Sequence, residues 1–128
     1  MQPIHLFNLA AKQAHWLSVR QDVVAGNVAN TDTPGYEARE VEPFSQVLER
    51  ANVSDRMAAD DPRHFVDDTM RNDVAVAPDQ ANVAIKPSGN SVSLSHELME
   101  STDIRRSFEL NTSIVKSFHQ MMMMAVKS

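Results

Sequence analysis

The chain has 128 residues, a formal net charge of −5 and no cysteine. A chain of this length usually forms one domain, and without cysteine it has neither a disulfide framework nor a thiolate metal site. Its basic residues form no stripe, which argues against nucleic acid as a partner, and only 5% of its residues are aromatic, which argues against a large central core.

The N-terminal segment, residues 4–30, predicts a long helix that packs along one seam. It contains no proline, and apolar pairs recur in it every seven residues, the spacing of a coiled-coil heptad. Gln13, Arg20 and Asn27 repeat at the same interval on the flank of the seam, where polar residues specify register at some cost in stability. The apolar pairs are Leu9-Ala10, Trp16-Leu17 and Val23-Val24.

The decapeptide at residues 27–36 predicts the end of this helix and a tight turn. Pro34 lacks a backbone donor and disfavours helix in the residue before it, and Gly35 permits the backbone angles of a turn. The side chains of Asn30 and Thr33 favour local hydrogen bonds over further helix. We therefore expect the chain to leave the helix axis here.

The middle zone, residues 37–86, predicts little sustained structure. Residues 40–52 have the apolar spacing of a short helix, whereas no periodicity continues from residue 53 to residue 87. Ten acidic residues and five arginines lie between Glu37 and Asp73, so this zone carries the negative charge. From residue 53 to residue 87 we expect mobility until a partner covers the segment, with brief extended pieces as the alternative. The candidate pieces are Phe65-Val66, Asp73–Ala77 and Asn82–Ile85.

The C-terminal zone, residues 87–128, predicts a turn at Ser88-Gly89-Asn90 and then a second long helix with Ser95 as its N-cap. Because this helix carries a heptad repeat like that of the first zone, residues 1–36, the two should pair. We predict a mainly α fold in which the N- and C-terminal heptad helices form an α-helical hairpin or coiled coil, with an irregular middle zone carrying short β pieces. The repeat comprises Ile104, Phe108, Asn111, Val115, Phe118, Met122 and Ala125.

Residue types that commonly carry chemistry do not assemble into a site in this sequence. His96-Glu97 begins a zinc-protease motif, but Glu100 stands where the second histidine ligand belongs. The acidic pairs Asp60-Asp61 and Asp67-Asp68 lack the spacing of a calcium loop, so a solvated loop is the better interpretation. We therefore predict no catalytic residue, no metal site and no cofactor.

The last turns of the second helix contain four consecutive methionines, Met121 to Met124. They cover every side of a helix, so an adaptable contact surface is favoured over an ordinary core. His15 and His119 flank the two seams as either a pH-sensitive pair or, as we favour, ordinary surface side chains. The apolar run from residue 121 to residue 126 is too short to span a bilayer, and the N-terminus lacks the features of a cleaved secretory signal.

Three segments together resemble the flagellar rod, hook and filament-junction family of axial proteins. They are Asn-x-Ala-Asn-x-x-Thr-Pro-Gly-Tyr at 27–36, residues 87–98 and the terminal heptad helix, in the order that the family shows. The short chain favours a rod protein over the longer hook members. The residues that carry the resemblance are Asn27, Ala29, Asn30, Thr33, Pro34, Gly35, Tyr36, Gly89, Asn90, Val92, Leu94 and Glu97.

The resemblance implies a structural subunit, not an enzyme, in the proximal rod of the flagellar basal body, where it would transmit torque and surround the export channel. The implied partners are other rod proteins, the ring-to-rod adapter protein, further copies of the chain and the export apparatus. The implied location is the periplasm, reached without signal cleavage. The alternative is a free-standing helical adaptor that binds a partner helix through its C-terminal seam. We expect assembly through a ten-residue seam of Leu9, Trp16, Leu17, Val23, Val24, Ile104, Phe108, Val115, Phe118 and Met122.

Overall fold

The computed structural model describes residues 3–58, 74–79 and 86–127. Its long terminal helices pack on each other, and its two short strands pair with each other. The prediction of a mainly α fold with paired terminal helices and short β pieces is confirmed. The elements in chain order are helix α1 (Pro3–Ala29), strand β1 (Arg39–Val41), helix α2 (Phe44–Ala58), strand β2 (Val76–Pro78) and helix α3 (Leu94–Lys127).

Helices α1 and α3 form an antiparallel hairpin. Near the start of α1, the ring of Phe7 meets that of Phe118 edge to face, with 5.7 Å between the centroids. Near the end of α1, the side-chain amide of Asn27 donates to the carboxyl group of Glu97 at 3.0 Å. The start of α1 therefore lies beside the later part of α3, and the end of α1 lies beside the start of α3.

The core of the hairpin is small and lies in its middle. Leu17, Val24 and Ile104 form one buried cluster, and the rings of Trp16 and Phe108 pack against it. Leu17 is fully buried, and Ile104 is 2% exposed. Since a heptad seam presents only a narrow stripe of each helix to its partner, three buried residues mark where the two stripes meet most closely.

Trp16 holds the segment after α1 against the helix. We call this segment, residues 37–58 and 74–79, the arm. The indole N–H of Trp16 donates to the carbonyl of Glu42 at 2.8 Å, and its ring lies 5.5 Å from that of Phe44. Val47 and Ala51 of α2 are buried at helical spacing from Phe44.

The arm begins as a strand rather than as the helix expected over residues 40–52. Arg39–Val41 pairs antiparallel with Val76–Pro78, and Pro43 disfavours helix in the residues before it. Helix α2 starts directly after this proline, whose carbonyl accepts from the N–H of Gln46 at 3.0 Å. The helix then continues to residue 58, where the sequence shows no periodicity.

Three further expectations have different outcomes in the structure. Strand β2 overlaps the candidate piece at residues 73–77. Helix α3 begins at Leu94, and the N–H of Glu97 donates to the carbonyl of Ser93, so the helix starts before the predicted cap at Ser95. The pieces at 65–66 and 82–85, like the acidic pairs at 60–61 and 67–68, lie outside the described residues.

The last turns of α3 reach beyond the contact of Phe118 with Phe7, and their side chains are exposed. Met124 is 70% exposed and Val126 is 82% exposed. No helix in the described part of the chain combines the length and the apolar character needed to cross a membrane.

Replacing Leu17 by alanine tests the position of the core. We expect the free energy of unfolding to fall by about 2–5 kcal/mol, because the truncation leaves a cavity between the helices. Leu110→Ala is the matched control, since Leu110 is 62% exposed on α3, and its effect should stay within about 0.5 kcal/mol. Urea denaturation followed by circular dichroism measures both. Equal midpoints for the two variants would contradict the assignment.

Candidate functional site: a joint between two turns and an exposed helical stripe

Two turns meet at the end of the hairpin where α1 ends and α3 begins. We call residues 27–38 and 86–92 together the joint. The N–H of Gly35 in the first turn donates to the carbonyl of Ser88 in the second turn at 3.0 Å, and the N–H of Ser91 donates to the carbonyl of Tyr36 at 3.1 Å. The two segments that carry the family resemblance are thus bonded to each other through their backbones.

Glycines stand where the two turns come closest. Gly35 has a φ angle of 74° and Gly89 one of 78°. Both angles lie in the left-handed region, where a residue with a side chain is strained. A Cβ atom on Gly89 would lie 3.5 Å from the Cα of Gly35. Glycine at these positions therefore permits the turn angles, whereas an added Cβ atom would itself make only an ordinary van der Waals contact.

Asn90 crosses from the second turn to the end of α1. Asn90 is fully buried, and its Nδ2 donates to the carbonyls of Asn30 and Thr33 at 2.7 and 2.8 Å. Its Oδ1 accepts from the N–H of Val92 at 2.8 Å. One side chain thus gives the carbonyls of Asn30 and Thr33 a second donor, beside the N–H groups of the turn itself. It also gives the N–H of Val92 its acceptor.

Asn27 connects α1 to both of its neighbours. Its residue is 1% exposed, and its Nδ2 donates to the carbonyl of Arg39 at 2.9 Å and to Oε1 of Glu97 at 3.0 Å. Its Oδ1 accepts from the N–H of Arg39 at 3.0 Å and from the hydroxyl of Tyr36 at 3.4 Å. The amide therefore joins the helix to the start of β1 and to α3.

The structure brings most of the motif residues together, but not all. Ala29 and Pro34 are exposed, and Leu94 at the start of α3 is 47% exposed. Pro34 still disfavours any continuation of the helix through the turn. The residues that the joint brings together are Asn27, Asn30, Thr33, Gly35, Tyr36, Gly89, Asn90, Val92 and Glu97.

Sequence reasoning misses two residues of the joint. Ser91 accepts from the N–H of Ala38 through its Oγ at 2.8 Å, and Lys86 donates through its Nζ to the carbonyl of Thr31 at 3.4 Å. A serine beside a Gly-Asn turn is a signal for such a side-chain to backbone bond. No local signal identifies Lys86.

Carboxyl groups beside the joint have shifted pKa values. Burial raises the pKa of Glu97, and the hydrogen bond from Asn27 opposes that rise in part. Burial also raises the pKa of Glu40, and the charge of Asp79 raises it further. Both groups therefore bind a proton more tightly in the folded chain than in the unfolded one.

Ion pairs lie on either side of these groups. The guanidinium of Arg20 binds the carboxylate of Glu100 and lies 3.2 Å from that of Asp103, which joins α1 to α3. The hydrogen bond from Arg50 lowers the pKa of Glu42 in the arm. Within the described residues, no group of three or more histidine, aspartate and glutamate side chains is placed to hold a metal ion.

The ten-residue seam lies inside a single hairpin. Its buried members pack in the core between α1 and α3, and its other members are half-buried along the same helices. Phe118, for example, meets Phe7 of its own chain. The buried members are Leu17, Val24 and Ile104, and the half-buried ones are Leu9, Trp16, Val23, Phe108, Val115, Phe118 and Met122.

A second apolar stripe of α3 faces solvent. Its residues are again spaced by four and three, and we call them the outer stripe. Ile114 and Met121 also line a groove together with Leu6 of α1. The heptad spacing that identifies the seam also identifies this stripe. Sequence reasoning assigns only one seam to the helix and therefore misses it. The outer stripe comprises Leu110, Ile114, Ser117, Met121 and Met124, and all five are exposed.

Known proteins similar to this chain share a description. The sequence pattern of the family described as "Flagella basal body rod protein" matches residues 16–36. The flagellar basal body rod protein FlgB of Agrobacterium fabrum is 46% identical over 129 residues, covering 99% of this chain and 96% of the relative. FlgB of Aeromonas hydrophila is 29% identical over 113 residues, covering 87% and 79%. FlgB of Salmonella typhimurium is 46% identical over 37 residues, covering 29% and 26%.

Replacing Asn90 by alanine tests the joint. We expect the free energy of unfolding to fall by about 2–4 kcal/mol. The buried N–H of Val92 is left without an acceptor, at about 1–3 kcal/mol, and the two hydrogen bonds to the carbonyls are lost, at about 0.5–1.5 kcal/mol each. Asn8→Ala is the matched control, since Asn8 is exposed on α1, and it should change little. Urea denaturation measures both. An Asn90→Ala chain as stable as the control would show that the joint does not hold the turns.

The pH dependence of stability tests the buried carboxyl group. Because the pKa of Glu97 is raised in the folded chain, its contribution is fully present below the ordinary value of 4.5 and is lost as pH rises through the folded pKa. Glu42 has a lowered pKa, so its contribution is lost only as pH falls below 4.5. We therefore expect the free energy of unfolding to decrease from pH 4.5 toward neutrality.

Glu97→Gln should flatten this decrease, and at pH 7.5 it should be at least as stable as the unaltered chain, because the glutamine oxygen can still accept from Asn27. Glu109→Gln changes an exposed carboxylate of the same helix and should leave the slope as it is. Thermal denaturation between pH 4.5 and 8 measures the slopes. An unchanged slope in Glu97→Gln would contradict the assignment.

Proposed function

The chain belongs to the FlgB family of flagellar basal body rod proteins, and we propose that it forms part of the proximal rod, transmits torque and surrounds the export channel. It is a structural subunit of the flagellar basal body rod. Its neighbours in this proposal are other rod proteins, further copies of the chain and the ring-to-rod adapter protein. It reaches them in the periplasm through the export apparatus, without cleavage of a signal.

The outer stripe is the observation that carries the proposal. Four of its five side chains are large and apolar, and Leu110 and Met121 are 62% and 59% exposed. An apolar heptad stripe is stable in water only when another helix covers it. The helix α1 already occupies the neighbouring face of α3, so the covering helix comes from another subunit.

The position of the outer stripe favours a contact between rod subunits over the contact of a free-standing adaptor. Leu6 of α1 lines the groove together with Phe118, which also packs on Phe7. A helix laid in the groove would therefore extend the apolar layer between α1 and α3. Repeated from subunit to subunit, such a contact builds a tube of helices.

Three zones divide the work in this proposal. Residues 1–36 and 87–128 supply the axial helices, and residues 37–86 are the variable middle zone, which includes the arm. The joint sets the angle at which the arm leaves, because Asn27 bonds to the start of β1 and Asn90 closes the turn before it. In this proposal the residues of the joint fix the backbone geometry and take part in no chemical reaction.

The free-standing adaptor predicts a different assembly. An adaptor would form a discrete complex of fixed stoichiometry, whereas a rod subunit remains with the basal body during purification. Family membership favours the rod subunit. Electron microscopy of isolated basal bodies, with the chain located by a tag in the arm, separates the two.

Replacing Met121 by aspartate tests the outer stripe. We expect loss of motility and loss of the chain from purified basal bodies, because a charge cannot be buried in an apolar contact without a partner. Met123→Asp is the matched control: it changes the same residue type on the same helix, about 200° around the axis. It should leave motility intact.

The two variants are compared as the only copy of the chain in the cell. Circular dichroism of the purified monomers should show the same helix content for both, which separates failed assembly from failed folding. Normal motility in Met121→Asp, or equal loss in both variants, would rule out the outer stripe as the contact.

A further inference from the structure

A cavity of about 170 Å³ lies beside the joint, between α1, β1 and the first turns of α3. Its wall includes the ring of Trp16 from α1, Glu40 from β1 and Glu97 from α3. It lies at the opposite end of the hairpin from the outer stripe, because Glu97 is near the start of α3 and Met121 is near its end. The proposed contact between helices therefore leaves it open.

Acidic groups outnumber basic ones in the wall of this cavity. Four carboxyl groups line it, against the guanidinium groups of Arg20 and Arg39 and the imidazole of His96. Arg20 pairs with Glu100 inside the wall and with Asp103 outside it. Three carboxyl groups remain against Arg39 and His96, and two of the three, Glu40 and Asp79, are hydrogen-bonded to each other. The four carboxyl groups belong to Glu40, Asp79, Glu97 and Glu100.

Glu97 is the buried member of this wall. Its residue is 3% exposed, and its Oε1 accepts from Asn27 at 3.0 Å. Within the described part of the chain, no residue donates a hydrogen bond to its Oε2. A carboxylate oxygen withdrawn from water without a donor is costly, and a cation in the cavity would remove that cost.

The wall suits an organic cation better than a metal ion. Its carboxyl groups come from three separate segments, and they form no cluster close enough to hold a metal among the described residues. A guanidinium presents five donors in one plane, which lets it bridge separate carboxylates, and it stacks on aromatic rings. Trp16 supplies such a ring, and the guanidinium of Arg20 already lies 5.4 Å from its centre.

We propose that this cavity binds an arginine side chain of a neighbouring rod subunit, with the guanidinium between Glu40 and Glu97. The source of the arginine rests on the proposed function, whereas the binding belongs to the isolated chain. Once bound, the arginine supplies donors to the buried carboxylate. It also attaches the neighbour at the joint, independently of the outer stripe.

The only tryptophan of the chain lines the cavity, so its fluorescence reports binding in the intact protein. The probe is N-acetylarginine amide, and the control probe is N-acetylcitrulline amide, which has the same shape without the charge. We expect a saturable change with the arginine probe alone. Glu97→Gln should raise its half-saturating concentration about tenfold, equivalent to about 1.4 kcal/mol.

Two further variants make the result specific. Glu40→Gln should weaken binding like Glu97→Gln, whereas Glu109→Gln, an exposed carboxylate far from the cavity on α3, should bind the probe like the unaltered chain. Equal responses to the two probes would overturn the proposal. Equal half-saturating concentrations for the unaltered chain and for Glu97→Gln would overturn it too.

Met121→Asp separates this inference from the proposed function. It changes the outer stripe at the other end of the hairpin, so it should bind the arginine probe as the unaltered chain does. A motile Met121→Asp strain whose purified chain binds the probe counts against the outer stripe and supports the cavity. Absence of probe binding in the unaltered chain counts against the cavity, whatever the motility.

Discussion

The side-chain amide of Asn27 is the contact on which the rest of the structure depends. It bonds to both backbone groups of Arg39 and to the carboxyl group of Glu97 while almost fully buried. A buried amide is stable only where its hydrogen bonds are made. The end of α1, the entry to β1 and the register of α1 against α3 are therefore linked. Any slip of the helices that separates Leu17 from Ile104 also breaks the bond from Asn27 to Glu97.

The hairpin is predictable from sequence, whereas the joint is not. Helix packing is periodic, so residues such as Leu17 and Ile104 indicate their own face through spacing alone. The bonds from Asn90 to Asn30 and Thr33 instead connect residues 60 and 57 positions apart. No local pattern encodes that pairing. The family resemblance groups these residues as motifs but does not say that the two turns touch.

Two features of α1 and α3 show where periodicity is ambiguous. Each apolar pair of α1 contains neighbours about 100° apart on the helix, and only the second member of the middle pair, Leu17, is fully buried. Trp16 serves the core and the arm together. On α3, a second stripe repeats the heptad of the first on another face. Spacing identifies both stripes, but only the packed structure shows which one α1 covers.

The hydrogen bond between the two turns has a mechanical consequence. Contacts between side chains yield under force by changing rotamer, whereas the bond from the N–H of Gly35 to the carbonyl of Ser88 joins two backbones directly. It connects the turn after α1 to the turn before α3. We therefore expect a force on the arm to reach α3 as well as α1 through backbone atoms of the joint.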